Sequence, residues 1–407
     1  MGDTTFGSEL RRRRLARGLS LRQLSELAHV DFTHLSRAEN GRRRPTELLA
    51  AAVDIALEAD GELIAIAHVQ RAATAATAVT SDPVRRREFV ATGVAAAVAS
   101  LSGMRDCTIR VGRVGGSDVE PLDRAVARLR TLGHQHGGAN LWQAASGVAR
   151  EGYHLLEQGT YTDEVEAELL AAIGRAQMCA GWLAFDGGNH DAARSCYNEA
   201  LSLARQTADP SIEVHALVNL AFQSTFLGMP RQAVRYAEAA ERIAFGRMAI
   251  VPQIRRATAY ASSGDRAESR KAMSRARTLL DQARDDEHGY WCSFISPEEL
   301  DGIEGTAAMR LGDSRRAETL LVRAIAAHSD AFARNRALYR ARLAKVRLGL
   351  GEADEAAQSA NDALDDLRGE VVSHVVNVEL ASAAGDLALH RTRPPVERFL
   401  TRYSAQR

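Results

Sequence analysis

The sequence predicts an all-α protein: a small bundle of five helices at the N-terminus, then an α-solenoid of stacked helix pairs. Three observations predict it. Residues 19–45 carry the start and stop signals of two short helices joined by a tight turn. From Pro121 onward, apolar and small residues recur at three- and four-residue steps, the spacing of one helix face. Those helices pair around Gly-containing turns with a period of about 35 to 48 residues, the mark of stacked helix pairs. At 407 residues the chain is long enough for two or more domains.

Each element follows in order. Residues 8–17 read as a first helix, with Leu10 and Leu15 facing inward and Arg11, Arg12, Arg13 and Arg14 facing largely out; Gly18 stops it. Ser20 and Gln23 have capping-box spacing, so each side chain can satisfy the other's backbone N–H. Leu21, Leu24, Leu27 and Ala28 form an apolar face. His29 and Val30 make the turn. Asp31 is placed to cap a second helix over Phe32–Glu39. Asn40-Gly41 ends it, because glycine takes the left-handed conformation that a helix C-cap needs. Thr46 can cap a fourth helix with Leu48, Leu49, Val53, Ile55 and Leu57 as core; Asp60-Gly61 breaks it, and residues 62–67 make a short fifth.

Charge is segregated. The whole chain has a formal net charge of zero, yet residues 8–45 hold ten arginines against four acids, Glu9, Glu26, Asp31 and Glu39. A basic head on a mildly acidic body fits an electrostatic footprint confined to one end. Lysine occurs only at 271 and 345, which reads as coding bias more than mechanism.

Residues 19–45 resemble the helix-turn-helix family of the phage repressors, also called the xenobiotic-response-element family. Leu19, Leu24, Ala28, Val30, Leu35, Ser36, Arg37, Glu39, Gly41 and Pro45 carry the resemblance, which spans residues 6–67. The chain departs from the family pattern at Leu21, Ser25 and His29, where Gln, Ala and Gly are common. The resemblance implies that residues on the second helix of the pair meet base edges of double-stranded DNA: here Phe32, Thr33, Ser36 and Arg37. Arg37 can form a bidentate pair with guanine, and Phe32 can pack on a thymine methyl. Arg42, Arg43 and Arg44 would hold phosphates, together with Ser20, Arg22, Gln23 and His34. Phosphate contacts set register and affinity without reading sequence. Arg37 pairing with Glu39 or Glu26 on the surface is the alternative reading; Leu35 is core, and Asn40 and Gly41 are caps.

Residues 71–116 read as a partly helical linker, with a candidate helix over residues 84–101 and an Arg85, Arg86, Arg87 cluster. The cluster could touch phosphate, but a solvated face is the plainer reading. The run also looks like a twin-arginine export signal; it begins behind a folded domain and is discounted. Its apolar stretch is shorter than the roughly 20 residues that a membrane span needs.

Five helix pairs turn at Gly187-Gly188-Asn189, Gly228-Met229-Pro230, Gly264-Asp265, Gly312-Asp313 and Gly351-Glu352. Small residues at fixed places, Gly181 and Gly305 among them, let helices sit close while large ones such as Tyr197 fill the gaps. These units resemble tetratricopeptide repeats over residues 175–364, with flanking helices at residues 121–132, 142–158 and 371–389 and an insertion near residues 285–297. Residues 180–186 and 136–139 also resemble the body of actinobacterial regulators of development and antibiotic production. The organisation expected is a helix-turn-helix domain at 6–70, a linker at 71–116 and a tetratricopeptide-like α-solenoid at 117–407.

No P-loop, metalloprotease, hydrolase or dinucleotide motif occurs, so no enzyme and no cofactor is expected. His134, His136 and His288 near Cys292 lack metal-ligand spacing, and Cys107, Cys179, Cys196 and Cys292 read as free thiols of a reducing cytoplasm. The repeat register points Trp182, Asp186, Asn219, Phe222, Arg255, Arg342 and Lys345 toward a concave groove for a peptide or small-molecule effector. The plainer alternative makes Trp182 and Phe222 inter-helix core and the charges a solvated face. The expected protein is a cytoplasmic DNA-binding regulator acting as a homodimer, with an adaptor or scaffold as the rival reading.

Overall fold

At residues 20–23 the backbone N–H of Ser20 donates to Gln23 Oε1 at 2.9 Å, and that of Gln23 to Ser20 Oγ at 3.2 Å. This reciprocal cap starts a helix as the spacing requires. The computed structural model describes residues 6–28, 30, 32–40, 47–57, 59, 62–63, 66–67, 112–136, 138, 141–283, 291–328, 332–367 and 373–406. The chain divides into two compact units, residues 1–97 and 98–407.

The first unit contains α1 (Phe6–Ala16), α2 (Leu21–Leu27), α3 (Phe32–Glu39) and α4 (Glu47–Ala56). Residues 62–63 and 66–67 are helical where a fifth helix was expected. Phe6, Leu10, Leu24, Leu35, Val53 and Leu63 are fully buried together. Asp54 Oδ1 accepts from the Leu63 N–H at 2.9 Å and ties the last helical segment to α4.

Two expectations for this unit fail. Leu15 and Leu27 are 57% and 52% exposed, not core. The buried stripe of α1 runs Phe6, Leu10, Arg14 in steps of four, and Leu15 lies about 140° round the helix from Leu10. Arg14, expected outside, is buried because its guanidinium has a buried partner, Glu39. Ser25 also proves useful where the family pattern has Ala: its hydroxyl donates to the Val30 carbonyl across the turn. His29, Asp31 and Gly41 to Thr46 lie outside the described residues, as do 68–111, which hold Cys107, the candidate helix at 84–101 and the Arg85–Arg87 cluster.

The second unit is a run of antiparallel helix pairs: α5 (Gly116–His136) with α6 (Trp142–Gln158), α7 (Asp163–Asp186) with α8 (His190–Gln206), and α9 (Pro210–Phe226) with α10 (Pro230–Glu241). Then come α11 (Ile250–Ser262) with α12 (Arg266–Gln282), α13 (Pro297–Arg310) with α14 (Ser314–Ala327), α15 (Ala333–Gly349) with α16 (Ala353–Asp366), and α17 (His374–Leu387) with α18 (Pro394–Gln406). Before α5, residues read as linker dock on this unit: the Val114 N–H donates to the Thr160 carbonyl at 2.9 Å.

One turn geometry recurs. Gly188, Gly228, Gly264, Gly312 and Gly351 have φ between 73° and 86°. In each turn the N–H of the next residue reaches five residues back, as from Asn189 to Ala184 and from Asp313 to Ala308. This is the Schellman end, which needs a left-handed residue and so favours glycine. Within a pair, Gly181 lets Tyr197 lie against α7: a Cβ at 181 would sit 2.5 Å from the Tyr197 ring, which is fully buried.

Successive first helices α5, α7, α9, α11, α13, α15 and α17 pack side by side. The stack curves far enough to meet itself: α15 touches α5, and α17 touches α7. One apolar cluster therefore joins Phe185 and Tyr197 of the second pair to Leu338, Leu364, Leu380 and Phe399 near the C-terminus. At Trp291, where the described residues of the inserted segment resume, the chain packs into the core. Trp291 is buried among Val214, Ile254 and Leu300, and its Nε1–H donates to Ser211 Oγ at 3.0 Å.

Candidate functional site

α3 is the helix that the sequence assigns to DNA. It packs on α1 through Leu35, Ala38 and Glu39, all buried, leaving Ser36 half-buried and Arg37 exposed. Glu39 is held from inside: Arg14 Nε and Nη2 donate to its two oxygens at 2.8 and 2.7 Å, and Arg14 Nη1 reaches the Leu19 carbonyl at 2.7 Å. That fork fixes the end of α3 against α1. It also removes Glu39 as a surface partner for Arg37, since Glu39 points into the core and away from that exposed face. Asn40 caps: its Nδ2 donates to the Ser36 carbonyl at 2.8 Å. Beside α3, Glu9 is gripped by Arg12 and Arg13, and the Arg12 hydrogen bonds, against the cost of burial, hold its carboxyl down at about 2.

Among the phosphate candidates, Ser20 and Gln23 are engaged with each other in the cap, and Arg22 is exposed on α2. Arg42, Arg43 and Arg44 lie outside the described residues, as do the side chains of Phe32, Thr33 and His34 on α3. The exposed surface that is described therefore centres on Arg37 and Arg22.

The concave face of the repeats differs from expectation in its charges. Asp186, Arg342 and Lys345 are committed internally. Arg334 donates to Asp186 Oδ1 through Nε at 3.0 Å and also through Nη2, and Ser373 Oγ donates to the same oxygen at 2.7 Å. Arg342 Nε and Lys345 Nζ each donate to Glu379 at 3.0 Å, and Arg342 Nη1 to Thr306 Oγ1 at 3.0 Å. Glu379 comes from α17, the next first helix, which packs side by side with α15. Burial would raise its carboxyl, but Arg342 and Lys345 outweigh that and hold it at about 2. Arg334, not among the residues expected on this face, lies on α15 eight residues before Arg342.

Trp182 and Phe222 are half-buried and belong to an aromatic cluster with Phe185 and Phe226. They also form the middle of a four-layer column. The Arg255 guanidinium lies 4.4 Å from the Phe222 centroid, Phe222 stacks on Trp182 at 6.1 Å, and Arg334 lies 5.4 Å over Trp182. Asn219, one turn before Phe222, is buried. His215, one turn earlier still, stacks flat on Trp291 at 4.3 Å, and burial with the Arg130 and Arg255 charges pushes it well below its ordinary value.

Behind this face Glu299 links two rings: Tyr339 Oη donates to it at 2.8 Å, and His328 Nε2 lies 3.0 Å away. Among the described residues no group of three or more His, Cys, Asp or Glu side chains is placed to hold a metal ion. No helix among them is long and apolar enough to cross a membrane.

Two family models match parts of the chain. A helix-turn-helix domain model matches residues 5–66, and a tetratricopeptide-repeat model matches residues 175–207. No curated protein matches the chain. A thermophilic tetratricopeptide protein of Thermus thermophilus is similar at 21% identity and a TM-score of 0.37, over 52% of this chain and 98% of its own. Yeast Tom70 is similar at 12% identity and a TM-score of 0.32, over 97% of this chain and 95% of its own. Both likenesses are too distant to bear on function. The chain thus joins a helix-turn-helix domain, which points to DNA as a partner, to tetratricopeptide repeats, which point to protein contacts, on an all-α fold.

Proposed function

We propose that this chain is a transcription regulator of the cytoplasm that binds double-stranded DNA as a homodimer and has no catalytic activity. The helix-turn-helix reads a short site, and a second copy lengthens it, since such domains bind paired half-sites. Arg37 reads a base, with Phe32, Thr33 and Ser36 beside it; Arg22 and Arg42 to Arg44 hold the backbone. The observation that carries this reading is the exposed Arg37 on a helix whose opposite face is locked by Arg14 and Glu39, within a locally basic segment. The phage-repressor and actinobacterial-regulator resemblances support the regulatory role. The repeats receive a peptide, small molecule or protein and set DNA affinity, which requires that the effector bind two arrangements of the protein unequally.

A mobility-shift titration on the DNA upstream of the chain's own gene tests the assignment. Arg37→Ala combined with Arg43→Ala should abolish the shift, and wild-type affinity should fall steeply with salt as counterions are released. Unchanged binding by the double variant removes the DNA assignment and leaves the adaptor reading.

A further inference from the structure

Between the second helices α12 and α14 runs a groove of about 490 Å³, with α13 as its floor. It is separate from the face of the first helices: α13 turns Glu299 to Tyr339 and Thr306 to Arg342, but Asp301 and Glu304 to this groove. Four arginines line it, Arg270 and Arg277 from α12 and Arg316 and Arg323 from α14, against those two acids. The acid side chains are 4% and 13% exposed, whereas Arg270, Arg316 and Arg323 are 57%, 51% and 66% exposed. Arg277 is used up on the floor. Its Nε and Nη2 donate to Glu304 Oε2 at 2.9 and 2.6 Å, and Nη2 also donates to Asp301 Oδ1 at 2.8 Å. One Arg277 nitrogen therefore touches both carboxylates. Arg316 and Arg323 each meet one of the same two carboxylates through a single nitrogen, so their heads flank one point. Their other N–H groups are left over, since a guanidinium carries five donors. Arg270 comes no closer to a carboxylate than 3.7 Å, at Asp313, which Arg266 also approaches at 3.5 Å; that additional pair leaves the balance unchanged. Burial would raise the Glu304 carboxyl, but Arg316 and Arg277 outweigh it, so the acid is ionised at neutral pH. The groove thus holds an excess of two positive charges. Solvent and salt screen part of the repulsion among the arginines; a bound dianion removes it.

We propose that this groove binds the phosphoryl group of a small phosphate monoester, held by Arg270, Arg316 and Arg323. Guanidinium forks match phosphate oxygens in pairs. A monoester has its second pKa near about 6, so at neutral pH it brings the two negative charges that the groove lacks. A carboxylate brings one and leaves a cation unbalanced. The volume exceeds what a phosphoryl group fills, and Met273 and Leu320 give the remainder an apolar lining for an organic body. The inference rests on the reading of the repeats as a receiving unit and names a ligand class for it.

The test uses the full chain at constant ionic strength and about pH 7.5, where the monoester is mainly a dianion. Calorimetric titration and thermal melting are the readouts. The probes are phenyl phosphate, inorganic phosphate, benzoate and a short duplex DNA of unrelated sequence. Saturable binding of phenyl phosphate is expected. Inorganic phosphate should bind more weakly, which separates an organic phosphate from the free ion as the natural source. Benzoate should give no response. Arg270→Gln, which breaks no hydrogen bond to the floor carboxylates, should weaken phenyl phosphate about tenfold or more, and Arg316→Gln with Arg323→Gln should weaken it further. Arg275→Gln, an exposed arginine of α12 outside the groove, should bind as wild type does. No saturable response to phenyl phosphate, an equal response to benzoate, an Arg270→Gln variant that binds like wild type, or an equal loss in Arg275→Gln would overturn the site. So would phenyl phosphate binding that the duplex DNA competes away, because the groove would then be a contact for nucleic-acid backbone. Repeating the mobility shift with phenyl phosphate separates the two readings: phosphate binding without a change in DNA affinity upholds the site and removes its regulatory role.

Discussion

Arg334 and Asp186 stand 148 residues apart in sequence and share a buried, doubly hydrogen-bonded ion pair. With Ser373 as a third donor, the pair fastens the second helix pair to the sixth and seventh and so closes the curve of the repeats. Removing one partner strands the other charge in the interior. Asp186→Ala should therefore cost about 3–5 kcal/mol, while Ser373→Ala should cost about 1 kcal/mol. Urea unfolding of both variants checks the ranking; an Asp186→Ala variant as stable as wild type would show that the pair does not hold the closure.

Gly181 faces the ring of Tyr197 with no room for a methyl group. Gly181→Ala usually favours a helix, so intrinsic propensity predicts a gain of about 1 kcal/mol. Here the overpacking dominates, and a net loss of about 1–3 kcal/mol is expected. A melting temperature below wild type decides for packing, and one above it for propensity.

The Arg14–Glu39 fork should govern the first unit in the same way. Arg14→Met keeps the apolar stem and leaves the buried Glu39 carboxylate with only the exposed Arg11, 3.9 Å away, a change worth about 2–4 kcal/mol. Limited proteolysis should cut within residues 1–97 of the variant at protease levels that leave the repeats intact. Equal resistance to wild type would argue that α3 is held by its apolar contacts alone.

Two titrations set a pH window. Glu379 is lowered from 4.5 to about 2, so its stabilisation is complete above about pH 4.5 and is lost as pH falls toward 2. His328 is raised from 6.5, chiefly by its hydrogen bond to Glu299; its stabilisation is complete below about 6.5 and is lost as pH rises through the folded value. Melting temperature against pH should fall on both sides. Glu379→Gln should flatten the acid limb and His328→Gln the neutral-to-alkaline one. An acid limb unchanged by Glu379→Gln would place the sensitivity elsewhere.

What the residues determine alone is short in range. The Ser20–Gln23 cap, the five glycine turns, the Gly181 approach and the helix pairs all depend on groups within a few residues or on neighbouring helices. For such features spacing and residue type suffice, because propensity, capping and side-chain periodicity are local. The helix register likewise brings Trp182, Phe222 and Arg255, on three successive first helices, next to one another.

The tertiary structure alone decided which charges remain available. Arg14 is a solvent residue by its Arg-rich neighbours until α3 brings Glu39 onto it. The curvature of the stack delivers Arg334 to Asp186, the neighbouring α17 delivers Glu379 to Arg342 and Lys345, and Arg255 has no such ion pair among the described residues. Curvature accumulates from a small rotation at every helix pair. No local pattern encodes where the two ends meet, and that meeting decides which of these charges are tied up in structural ion pairs.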